Sequence, residues 1–152
     1  MKKAALIIVF TALATLLNAQ QADTGKAYIK RYFAELQNKP LTNYTGAVAV
    51  LNLYSCGRGT LCGSELQEFA GKFAATTTMP VYIVLLGNDT AVEKCFKKLP
   101  DVTFLNGDYD LAQNYGLGFS VHHFYKLNNG VITFYAIPDK KNEKKVRKAF
   151  SN

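Results

Sequence analysis

Two stretches of this chain, AVAVLNLY at 47–54 and VYIVLLG at 81–87, are apolar with no polar alternation. A strand with one face in water alternates, because successive side chains point to opposite sides of the sheet. Continuous runs rich in Val, Ile and Leu instead belong to strands buried on both faces. The rest of the chain must therefore supply helical layers above and below. Suitable segments lie between the strands. Asp23 to Gln37 sets Tyr28, Tyr32, Phe33 and Leu36 on one helical face, with Asp23 or Thr24 to cap its start and Pro40 beyond its end. A glycine-rich loop, SCGRGTLCGS, leads into a second helix carrying Leu66, Phe69 and Phe73. Asp89 to Leu99 forms a third, with Val92, Cys95, Phe96 and Leu99 on one face.

After Pro100 come a short strand, VTFL, and a short helical stretch ending at Tyr115-Gly116. Val121 to Lys126 and Val131 to Ile137 flank Leu127-Asn128-Asn129-Gly130, where Asn-Gly signals a hairpin. Pro138 suits the first turn of a closing helix that reaches Phe150. The order α-β-α-β-α-β-α-β-β-α, with no repeat and no linker, predicts one α/β domain. Its central sheet is parallel at first and ends in an antiparallel hairpin. Composition agrees: 49% apolar and 19% charged residues exclude disorder, collagen and coiled coil.

The first residues read differently. Lys2 and Lys3 precede an apolar run from Ala4 to Leu17, and small Ala19 follows. This is the layout of a secretory signal peptide over 1–19, with a mature domain over 20–152. The run holds about 14 apolar residues where a membrane span needs about 20. No cysteine follows it to take a lipid. A periplasmic or secreted protein, with no stable membrane insertion after processing, is the expectation, in a compartment where disulfides persist. Without Lys2 and Lys3 the net charge falls from +7 to +5, and much of the excess sits in the closing segment PDKKNEKKVRKAF. That segment is expected to be a solvated helix face whose basic end complements the helix dipole. No phosphate loop and no basic-aromatic patch points to nucleic acid.

The element order, with a cysteine loop after the first buried strand, resembles the thioredoxin-like superfamily. It is most similar to the periplasmic TlpA/ResA-type proteins and their peroxiredoxin relatives. The resemblance covers roughly Tyr44 to Phe150, and its most specific part is DYDLAQNYGLGFSVHHFYKLNNGVI. It implies a three-layer α/β/α sandwich with an extra N-terminal helix. It also implies thiol-disulfide chemistry with protein thiols or disulfides as partners and no cofactor. Cys62 and Glu65 match the second half of the family's Trp-Cys-x-x-Cys motif and its following acidic residue. Gly59 stands where the first motif cysteine would be, Trp is missing, and Cys56 lies six residues before Cys62. Where the family has a cis-proline in the facing loop, this chain has Val121, and a trans peptide is expected there. The resemblance makes Ser120, Val121 and His122 a substrate-facing loop.

From the residues themselves, Cys56 and Cys62 flank pliable glycines between a strand end and a helix start. A thiolate at a helix N-terminus meets unpaired N–H groups and the positive dipole end, and Arg58 would act in the same direction. The same pair is equally suited to a static clip closing a short loop, worth about 2 kcal/mol on the chain-entropy model. Cys95 is predicted to face the core as a small hydrophobe. His122 and His123 are neighbours at a strand start, so only one can aim at the cysteine loop. Two thiolates and an imidazole would suit a soft metal ion, although packed or surface histidines are the default. Asn43-Tyr44-Thr45 matches a short glycosylation sequon. Three functions follow. Thiol-disulfide exchange through Cys56 and Cys62 leads, with Cys62 as the attacking or the resolving sulfur. Second is a redox-inactive binding or structural module with a static Cys56–Cys62 disulfide. Third is a copper-binding protein resembling the Sco proteins. Peroxidase chemistry is disfavoured, because relatives add both a Thr three before the cysteine that Cys62 matches and a nearby Arg, whereas this chain has Gly59 there and only Arg31, Arg58 and Arg147 as arginines.

Overall fold

Seven consecutive buried residues, Gly46–Asn52, make up β1, and every one of them lies inside the sheet. The computed structural model describes residues 28–38, 40–54, 59–118 and 121–151. The proposed signal segment and the first residues of the N-terminal helix lie outside that range. After a helical stretch at 28–37 (α1), the elements are β1, α2 (Ser64–Thr76), β2 (Val81–Leu86), α3 (Thr90–Phe96), β3 (Val102–Asn106), α4 (Tyr109–Asn114), β4 (His123–Asn128), β5 (Val131–Ala136) and α5 (Glu143–Phe150). Among the described residues the sheet runs β3-β2-β1-β4-β5. β1 is parallel to β2, and β2 to β3; β1 is antiparallel to β4, and β4 to β5. The molecule is thus an α/β fold with a five-stranded mixed sheet and helices on both faces.

Alternation along the two apolar runs sorts the core into two layers. Ala47, Ala49 and Leu51 join Val81, Ile83 and Leu85 on one face, under α2, α3 and α5. Val48 and Val50 join Val84 and Leu86 on the other, under α1 and α4. Phe73 centres the first layer, with ring centroids 5.3 Å from both Phe124 and Phe150 and 5.9 Å from Phe69 and Phe96. Ile29, Tyr32 and Phe33 of α1 are buried in the second. Asn129 and Gly130 both have positive φ, 48° and 71°, which is the geometry of a tight primed hairpin turn. A Cβ at Gly130 would run into the Thr42 backbone carbonyl, so only glycine fits there.

Several boundaries differ from the sequence expectation. β1 stops at Asn52 rather than Tyr54, and α3 spans Thr90–Phe96 rather than reaching Leu99. β4 begins at His123 and keeps Leu127 and Asn128, which were expected in the turn. The closing helix starts at Glu143, well after Pro138. A local loop delays it. The Asp139 carboxylate accepts from the Lys141 and Asn142 amides, while the Asn142 side chain accepts from the Asp139 amide. Such side-chain-to-backbone bonds compete with helix formation and hold a turn.

Candidate functional site

β1 delivers the chain to the cysteine loop through Asn52, the one amide in an otherwise apolar strand. Asn52 is fully buried. Its Nδ2 donates to the Gly118 carbonyl at 2.9 Å, and its Oδ1 accepts from the Tyr54 amide at 3.0 Å. A buried amide is stable only when its donor and acceptor are both used, and here both are. The entry to the cysteine loop is thereby tied to the segment that precedes β4. Tyr54 follows with 67% of its surface exposed, its ring edge-on to Tyr109 at 5.2 Å.

Cys56 and Arg58 lie outside the described residues. The described chain resumes at Gly59. Thr60 forms an isolated antiparallel bridge with Asp139, and Leu61 is buried in the first core layer. Cys62 is half-buried and sits just before Gly63, the N-cap of α2. Gly63 has φ +51°, which favours glycine, and no side chain caps the helix there. The Cys62 carbonyl accepts from the Glu65 amide and the Gly63 carbonyl from the Gln67 amide, both at 3.0 Å. α2 therefore begins directly after Cys62 without a side-chain cap.

Cys62 is disulfide-bonded, whereas Cys95 is free. The Cys62 sulfur lies 3.5 Å from the Thr60 carbonyl oxygen. Cys95 is half-buried and packs against the first core layer, on the inward face its helical pattern predicts.

The two histidines diverge, as strand alternation requires. His122 is 1% exposed, and its Nε2 lies 2.8 Å from the Leu61 carbonyl oxygen. His123 turns to the other layer, where its Nδ1 is 3.0 Å from the Tyr135 hydroxyl and its ring stacks near Tyr125 and Tyr135. Burial lowers the pKa of both, that of His123 to about 4 with help from the neighbouring His122. Burial likewise pushes Tyr135 up to about 12. Both rings are consequently neutral at physiological pH.

Of the residues expected to form a substrate-facing loop, Val121 is half-buried and His122 is buried, while Ser120 lies outside the described residues. The peptide that enters Val121 also involves Ser120; among the described residues there is no cis bond. Glu65 pairs with Lys140 at 2.6 Å and lines a hollow of about 210 Å³ with Leu61, Glu68 and Glu143. A larger hollow of about 420 Å³, lined by Phe33, Leu41, Tyr44 and Tyr82, opens at the opposite end of β1 and β2. Among the described residues no three His, Cys, Asp or Glu side chains gather as a metal site, and Cys56 falls outside that set.

Sequence inspection passed over Asn52 and Tyr54. The available signal was the lone amide inside AVAVLNLY, which a buried strand tolerates only if it is hydrogen-bonded. No helix among the described residues is long and apolar enough to cross a membrane. No protein-family model, curated protein or solved structure matches this chain.

Proposed function

We propose that this chain is an exported thioredoxin-like protein that exchanges disulfides with protein thiols through Cys56 and Cys62. The observation that carries the proposal is the position of Cys62. It is disulfide-bonded and stands immediately before an uncapped helix start, beyond the C-terminal end of the central strand. With Cys95 free and three cysteines in the chain, Cys56 is the partner we assign to Cys62. The strand pairing supports the fold assignment: a parallel β1–β2 pair continued by an antiparallel β4–β5 hairpin fits a thioredoxin-like sandwich. In the exchange, a thiolate of the partner attacks one sulfur of the pair and the other sulfur leaves as thiolate. The partner's second thiol then resolves the mixed disulfide, so the partner is oxidised by two electrons and the pair reduced. Exposed Tyr54, beside Tyr109, offers an apolar platform on which a partner's chain can rest.

A second assignment, a structural module with a static clip, is favoured by the way Asn52 fastens the loop entry. The reduction potential of the pair separates them. Exchange requires a potential above about −300 mV and a Cys56→Ser or Cys62→Ser variant that accumulates mixed disulfides with partners. A pair that resists millimolar dithiothreitol until the protein unfolds, with neither variant trapping a partner, would make the disulfide structural.

A further inference from the structure

We propose that His122 is the positioning residue for Cys62, acting through the Leu61 carbonyl; this rests on the exchange chemistry assigned to Cys62 above. A carbonyl oxygen only accepts, so the ring nitrogen 2.8 Å away must carry the proton. That fixes the Nε2–H tautomer and leaves the lone pair on Nδ1, which is buried with no hydrogen-bond partner among the described residues. A histidine held in this state, 1% exposed and beside a carbonyl in the first core layer, is a rigid donor.

Its target lies in the right place. The Leu61 carbonyl belongs to the peptide group that joins Leu61 to Cys62, so holding that oxygen holds the plane from which the Cys62 side chain departs. On the far side, the Cys62 carbonyl is already held by the Glu65 amide at 3.0 Å. The peptide groups before and after Cys62 are therefore both anchored, one to the start of β4 and the other to the first turn of α2. Exchange needs the attacking sulfur in line with the S–S bond, so the orientation of the fixed sulfur decides which approach is open. His122 thus governs access to the disulfide without touching the reacting partner.

The test uses the full mature chain with dithiothreitol as the probe. This dithiol gives two electrons to the disulfide, leaves as its own cyclic disulfide, and supplies the two protons taken up by the cysteine sulfurs. His122→Leu removes the donor and orphans the Leu61 carbonyl, whereas His122→Gln keeps an N–H donor without an imidazole. The expected result is reduction about tenfold faster in His122→Leu and within about twofold of the parent in His122→Gln, because an orphaned buried carbonyl loosens its segment. In the oxidised parent, nitrogen NMR should show His122 protonated at Nε2, and amide exchange at residues 62–65 should accelerate in His122→Leu alone. A His122 protonated only at Nδ1, a His122→Leu reduced at the parent rate, or a His122→Gln that behaves like His122→Leu overturns the proposal. If the disulfide of every variant withstands dithiothreitol, the exchange function fails instead. The anchoring is then decided by amide exchange, and parent-like protection in His122→Leu overturns it. Should His122→Leu not fold, the tautomer and the His122→Gln rate still decide.

Discussion

Acid should destabilise this protein through His123, by an amount its burial sets. In the unfolded chain the imidazole takes up its proton near pH 6.5, whereas in the fold it waits until about 4. Between those values the unfolded state binds more protons, so lowering the pH draws the equilibrium toward it. The stability owed to the neutral ring is whole above about pH 6.5 and is lost as pH falls toward 4. At ~1.4 kcal/mol per unit of pKa difference, the full span is about 3 kcal/mol. His122, whose pKa burial also lowers, adds to the loss in the same direction. The assay is urea unfolding at a series of pH values between about 7 and about 4. The parent is compared with His123→Gln, which keeps a hydrogen-bonding group near Tyr135 but does not titrate. Carboxylate contributions are common to both proteins and cancel in the difference. The parent should lose about 3 kcal/mol more than the variant across the range. Parallel profiles for the two would refute the claim that His123 is held neutral by the fold.

Asn52→Ala should cost about 2 kcal/mol, because the Gly118 carbonyl and the Tyr54 amide lose their shared partner; a urea midpoint within error of the parent would contradict that. Phe73→Ala should cost about 3–5 kcal/mol, since it empties the centre of the aromatic cluster formed with Phe69, Phe96, Phe124 and Phe150. A loss below about 1 kcal/mol would show that the cluster collapses around the gap at little cost.

The readable parts of the sequence were those governed by short-range periodicity. AVAVLNLY and VYIVLLG gave their strands because nothing but full burial tolerates such runs, and the Leu66, Phe69 and Phe73 spacing placed the inner face of α2. Asn129-Gly130 specified its turn through backbone conformation alone. Periodicity also foresaw that His122 and His123 would part company, though not where each would go. Their partners, Leu61 and Tyr135, are brought near by sheet pairing, and no local pattern encodes that. Asn52 was missed for the same reason: its acceptor is Gly118, 66 residues away. Pro138 misled because proline fits a helix start in general, while the bonds between Asp139 and Asn142 hold a turn in this particular chain. The place of Cys62 just before α2 was therefore legible, and what fastens the chain on either side of it was not.

The central position of β1 sets the order in which the molecule can assemble. Its parallel partner begins at Val81, but its antiparallel partner begins only at His123, and their pairing runs to Leu127, opposite Gly46. A chain emerging from its N-terminus therefore carries one open edge of its most buried strand until β4 has been made. Closing loops of that length before any contact repays them makes folding slow, and an unpaired apolar edge is the surface on which chains join one another. The vulnerable interval for this protein ends when β4 docks, and substitutions that delay the β4–β5 hairpin should show themselves first as aggregation during synthesis rather than as loss of equilibrium stability.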